Sequence, residues 1–164
     1  MFRKILLAHD GSKGADGALE KAAALCKLCD AELLVLTGYR HYSILEASLS
    51  MVRGHGEDPG NLDDAMRAAA REVGEYAKTR ARELGVDRVQ AFIKGGPSAR
   101  TIIAFARETG CDLIVVGSRG LGASEGYMLG SVSHKVTSIA AIRTAPPPAN
   151  SLAPVAGGAG SLRS

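Results

Sequence analysis

Tryptophan is absent and aromatic residues make up only 4% of the 164 residues. A core without large rings must be filled by Ala, Val, Leu and Ile. Nucleic-acid binders that stack bases on aromatics interleaved with basic residues have no counterpart here. Cysteine is scarce as well: Cys26, Cys29 and Cys111 form no disulfide framework. There is no strong charge of one sign. The 20 Lys and Arg against 17 Asp and Glu leave a net +3, and the basic residues are spread along the chain. Nucleic acid is therefore not an expected partner. No apolar run approaches the roughly 20 residues that span a bilayer. The first apolar stretch, within Met1 to Asp10, is too short for a signal peptide and meets a charge at once. The expectation is a cytoplasmic protein without a membrane partner.

Hydrophobic residues are 46% and charged residues 23%, the balance of an ordinary globular protein. At this length one domain buries roughly two thirds of its unfolded surface. Phe2 to Ala8 reads as a buried strand and His9-Asp10-Gly11-Ser12 as a turn. A helix follows over Ala15 to Leu28, with apolar residues at three- and four-residue spacing and with Ser12 or Asp16 as its cap. Glu32 to Thr37 is a second strand, and Gly38 to Gly60 lacks periodicity apart from a turn or two of helix over Ser43 to Val52. Leu62 to Leu84 carries the longest helical stripe and ends at Gly85. Arg88 to Ile93 predicts a third strand, Ala99 to Glu108 a helix, Leu113 to Val116 a fourth strand and Ser131 to about Ile139 a last helix. Strands alternating with helices predict a doubly wound parallel sheet with helices on both faces. From Ala145 to Ser164, Pro, Gly, Ala and Ser dominate, which predicts a disordered tail behind a domain over 1–144.

The most informative stretch lies behind the fourth strand. Gly117-Ser118-Arg119-Gly120 is followed, after nine residues, by Gly130-Ser131 at the start of the last helix. Glycines allow a backbone to approach a ligand closely. A helix N-terminus presents unpaired amides and partial positive charge. Together they describe a phosphate cradle. The frame is neither a P-loop, since no Gly-Lys-Ser/Thr follows, nor a dinucleotide fingerprint, which belongs after the first strand.

Asp10 ends the first strand, where it either forms the turn and caps the helix or accepts hydrogen bonds from a ligand. Position at the presumed switch point of the sheet favours the ligand. Cys26-Lys-Leu-Cys29 looks like a redox or zinc half-site, yet it stands late in a helix and no second pair completes it, so structural thiols are the better reading. His9, His41, His55 and His134 lack ligand spacing, and His134 is assigned a solvent-facing or packing role. No Ser-His-Asp set, paired carboxylates or other base–nucleophile motif stands out, so no catalytic residue is assigned.

With these residues in hand, the chain from Met1 to about Ile139 resembles the universal stress proteins. The resemblance is carried by Lys4-Ile-Leu-Leu-Ala-His-Asp-Gly-Ser12 and by Asp112-Leu-Ile-Val-Val-Gly-Ser-Arg-Gly-Leu-Gly122. Gly117, Gly120, Gly130 and Ser131 match that family's Gly-x2-Gly-x9-Gly-Ser/Thr signature for ATP. The resemblance implies an adenine nucleotide alpha-hydrolase-like fold with strand order 3-2-1-4. It implies that Ala8, Asp10, Thr37 and Gly38 hold the adenine and ribose end. Val116, Gly117, Ser118, Arg119 and Gly120 would wrap ribose and α-phosphate, and Gly130, Ser131, Val132 and Ser133 would meet the β- and γ-phosphates. The ligand would be ATP with Mg2+ or Mn2+, the metal ligands being left open.

Two departures stand out. Gly38 replaces a larger apolar residue beside the adenine. Thr144-Ala-Pro-Pro-Pro148 replaces the usual fifth strand, which commonly pairs with its copy in a homodimer. The expectation is a missing fifth strand, an exposed fourth-strand edge and a weakened or altered dimer. The function implied is that of an ATP-binding regulatory or signalling protein of the stress response with, at most, weak ATPase activity. A slow nucleotide hydrolase or phosphotransferase using the same pocket, and a nucleotide-independent interaction module, are the alternatives.

Overall fold

The computed structural model describes residues 1–39, 59–96, 98–118 and 131–140, with 59–61 and 137–140 described as backbone only. The turns expected over Ser43 to Val52, the missing fifth strand and the 145–164 tail lie outside these residues. The elements run β1 (Lys4–Ala8), α1 (Lys13–Cys29), β2 (Glu32–Tyr39), α2 (Pro59–Glu83), β3 (Val89–Gly95), α3 (Ser98–Thr109), β4 (Leu113–Val116) and α4 (Ser131–Ala140).

The four strands form one parallel sheet in the order β3-β2-β1-β4. Parallel strands covered on both faces read as unbroken apolar runs rather than alternating ones. Ile5, Leu6 and Leu7 of β1 and Leu33 to Leu36 of β2 show this, all of them buried. Alternate residues then serve opposite faces. Ile5, Leu7, Leu33 and Val35 pack with Ala18, Leu19, Ala22 and Ala23 of α1 and Ala77 and Ala81 of α2. Leu6, Leu34 and Leu36 pack with Ile102 and Phe105 of α3 and Val136 of α4. The alanines let α1 and α2 lie close to the sheet, and the aromatic share of the core shrinks to pairs such as Phe92 and Phe105, with ring centroids 5.0 Å apart.

From β1 the chain steps outward to β2 and β3, then returns to place β4 on the other side of β1. The strand order thus reverses between β1 and β4, and in sheets of this kind ligands bind beyond the strand ends at such a point. Asp112 pins the opposite end of that pair: its Oδ2 accepts from the Arg3 and Lys4 amides at 2.6 and 2.9 Å. Ser12 rather than Asp16 caps α1, its Oγ accepting from the Ala15 amide at 3.2 Å. The helix closes on Asp30 in the left-handed region, at φ 52°, with Ala31 N–H on the Cys26 carbonyl. Cys26 and Cys111 are buried, and burial pushes the Cys26 thiol up to about 11 and that of Cys111 in the same direction. These are core thiols, not reactive ones.

Candidate functional site

Register decides which sequence motifs meet. In the β1–β4 pair Ala8 lies opposite Val116, so the turn His9–Ser12 and the segment from Gly117 leave the sheet side by side. On the other flank Ala8 lies opposite Leu36, placing Thr37 and Gly38 beside His9 and Asp10. Four of the expected positions (Ala8, Asp10, Gly38 and Val116) therefore gather at one end of one sheet, with Gly117 and Ser118 continuing from it. Gly38 and Ser118 are exposed there, whereas Ala8, Asp10 and Val116 are half-buried. Arg119, Gly120 and Gly130 lie outside the described residues.

The last helix is tied to the same place. The Ser133 hydroxyl donates to the Gly117 carbonyl, and Ser133 is buried. This bond holds the first turn of α4 against the end of β4. Ser131, at the first position of the helix, is exposed, and Val132 is half-buried. The amides of a first helical turn have no partner within the helix, so donors and an exposed hydroxyl stand together at the strand ends. His134 is exposed, one of the two placements the sequence left open.

Gly117 has a structural task that spacing alone did not reveal. A Cβ at this position would lie 2.8 Å from the Gly14 carbonyl carbon and 3.1 Å from the Ala15 nitrogen. The backbone that approaches closely here is the first turn of α1. Glycine at 117 lets β4 and α1 cross before any ligand is considered.

Asp10 forms the turn: its Oδ1 accepts from the Ser12 amide at 3.0 Å. Directly before it, His9 is buried, with Nδ1 accepting from the Gly11 amide at 3.2 Å and Nε2 lying 3.1 Å from Asp16 Oδ1. The Tyr76 ring packs edge-on at 6.2 Å. Sequence reasoning set His9 aside because it has no ligand-like partner along the chain. The only available signal was a histidine between a buried strand and a turn, seven residues before an acid on the helix that follows.

Thr37 is buried, and among the described residues its hydroxyl has no hydrogen-bond partner. It faces α2, near Gly74, on the opposite side of the strand from Gly38. An unsatisfied buried hydroxyl is costly, while an isosteric apolar group is not. Thr37→Val should raise stability by about 1 kcal/mol in urea unfolding, and a loss would show that the hydroxyl is satisfied. Just beyond, Tyr39 is fixed by Arg67, whose Nε and Nη2 donate to its hydroxyl at 3.1 and 3.0 Å. Among the described residues, no group of three or more His, Cys, Asp or Glu gathers to hold a metal ion. None of their helices is long and apolar enough to cross a membrane.

A sequence model of the universal stress protein family matches residues 1–143. The chain belongs to that family. The universal stress protein YxiE of Bacillus subtilis is 39% identical over 143 residues, 85% of this chain and 94% of the relative. Among solved structures, the universal stress protein UspA from Lactobacillus plantarum superposes with a TM-score of 0.70 at 23% identity, covering 83% of this chain and 90% of that one. A universal stress protein crystallised in complex with cAMP gives 0.62 at 23%, covering 84% and 90%. These likenesses agree with the observed sheet order, so the fold is the adenine nucleotide alpha-hydrolase-like one.

Proposed function

We propose that this universal stress protein binds ATP beyond the C-terminal ends of β1 and β4 and acts as a nucleotide-dependent regulatory or signalling protein of the stress response. The observation that carries the reading is the meeting of the two strand ends with the first turn of α4, held by the Ser133–Gly117 bond. In this arrangement Ala8, Asp10, Gly38 and the main chain at Thr37 border the adenine and ribose. The segment Val116 to Gly120 follows the ribose and α-phosphate, and Gly130 to Ser133 faces the outer phosphates. Ser131 supplies the exposed hydroxyl. Ser133, whose proton is committed to Gly117, contributes mainly by holding the turn in place. Several amides converging on one anion make charge-assisted bonds, about twice as strong as neutral ones.

A divalent cation, Mg2+ or Mn2+, would ride chiefly on phosphate oxygens, because the described residues gather no ligand set for it alone. Among the described residues none is assigned the part of a general base, and ATP is read as a ligand that shifts conformation or partner choice. A cytoplasmic location and self-association belong to the same proposal. Among the described strands β4 pairs with β1 alone, and the self-association in this reading is a homodimer weakened or altered by the change in the fifth-strand segment.

Mass spectrometry of ligand released by heating freshly purified protein tests the reading. Co-purifying adenine nucleotide is expected, displaced by added ATP and less readily by cAMP. Nucleotide-free protein that takes up neither compound overturns it. Steady-state phosphate release above background, lost in Ser131→Ala, would instead favour a hydrolase in the same pocket.

A further inference from the structure

We infer that His9 is a positioning residue for the ligand-facing turn, holding Asp10 in place through Gly11 only while its imidazole is neutral. The inference rests on the proposed nucleotide site and adds to it a dependence on proton concentration.

The bond pattern determines the tautomer. Gly11 N–H donates to Nδ1, which must therefore carry a lone pair; the ring proton of the neutral imidazole then sits on Nε2 and is donated to Asp16. Both ring nitrogens are used, and the ring is shielded from solvent, with side-chain exposure of 0%. The main chain of His9 is itself anchored, its amide donating to the Leu36 carbonyl at 3.0 Å. The ring is thus fixed at its root and at both ends.

Asp10 stands directly before the two amides that define the turn. The Gly11 amide is held by His9 and the Ser12 amide by the Asp10 carboxylate. Gly11 has φ +84°, a conformation that favours glycine, and a Cβ there would press on Val73 of α2 at 3.3 Å. Such a turn needs its hydrogen bonds to keep one geometry. Ser12 then begins α1, so the same bonds set where the helix starts.

Protonation puts a hydrogen on Nδ1, and two donors then face each other at Gly11. Among the described residues, the titratable groups on the ring are Asp16 from α1 and Tyr76 from α2, and the β1–β2 register carries the uncharged Thr37 alongside His9. Asp16 keeps its bond to Nε2 in either charge state. Loss therefore falls on the Gly11 side, and the turn bearing Asp10 loosens as the pH falls.

The test uses the isotopically labelled full chain over a pH series that carries the His9 ring from its neutral to its protonated form. The Gly11 amide resonance and the His9 ring nitrogens are followed without ligand, and Mg-ATP affinity is measured over the same range. The expected result is a Gly11 amide that shifts along the titration curve of the His9 ring. ATP's own phosphate titrates nearby, so the affinity is read as wild type against His9→Asn. The Asn amide oxygen takes the place of Nδ1 and does not titrate. Wild-type affinity should fall roughly fivefold more than that of His9→Asn on acidification, the worth of one net hydrogen bond. His9→Gln, which reaches Asp16 but not Gly11, should be weak throughout the range. A Gly11 amide that stays constant while the ring titrates overturns the inference, as do coincident affinity profiles of wild type and His9→Asn. If the wild type binds no ATP at any pH, the nucleotide site fails, and the Gly11 resonance alone decides the coupling.

Discussion

Gly117→Ala should melt roughly 5–10 °C below the wild type, whereas Gly17→Ala should melt slightly above it. The two glycines are met by opposite surroundings. At 117 a single added carbon comes within 2.8 Å of the α1 backbone, where no side-chain rotation can relieve it. Either β4 or the first turn of α1 must move, and overpacking of this kind costs about 2–3 kcal/mol. The shift also drags the Gly117 carbonyl away from the Ser133 hydroxyl, so α4 should loosen with it. Gly17 lies inside α1 with nothing within 4 Å of an added Cβ. Alanine there only restricts the unfolded chain and gains about 0.5–1 kcal/mol. Calorimetric melting of both variants checks the pair. Equal melting points would mean that the crossing of β4 over α1 is not as close as the structure has it.

Gly130→Val should lower ATP affinity at least about a hundredfold while leaving the melting temperature within a few degrees of wild type. Gly130 directly precedes the first residue of α4, the place an anion must reach to use that helix's amides. A branched side chain there obstructs two or more charge-assisted bonds, each worth about 1.5–3 kcal/mol, and every 1.4 kcal/mol is tenfold in affinity. Fluorescent-nucleotide displacement measures the loss, and Gly120→Val should behave alike. Wild-type affinity in Gly130→Val would move the phosphates elsewhere. The contrast with Gly117 matters: one glycine in the signature serves the fold, and the other is assigned to the ligand.

Much of the sheet was legible because buried parallel strands are written as plain apolar runs. Leu113 to Val116 was read with its observed limits and the helices on both faces were expected, while the order 3-2-1-4, which the family resemblance implied, is what the structure has. Strand ends were less legible. β2 runs on to Tyr39 and β3 to Gly95, since Gly38 pairs with Lys94 and Tyr39 with Gly95, where the sequence showed only glycines that look like turns. α2 begins at Pro59, since proline suits a first helical turn that needs no amide. The choice between Ser12 and Asp16 as cap could not be made from residue types, because both accept amides equally well. In the structure Ser12 takes the Ala15 amide, while Asp16 stands inside the first turn beside His9. The importance of His9 was invisible for the same reason: its partners are brought together by a strand, a turn and a helix, not by spacing. The packing demand on Gly117 gave no sign either, for the backbone it must clear, at Gly14, lies 103 positions away along the chain.

The central claim is that the ends of β1 and β4 and the start of α4 form an ATP site. Isothermal titration of nucleotide-free protein with Mg-ATP tests it most directly. A saturable exotherm at one nucleotide per chain, lost in Gly130→Val, is the predicted result. No heat of binding at millimolar ATP, from protein whose melting is intact and cooperative, would contradict it.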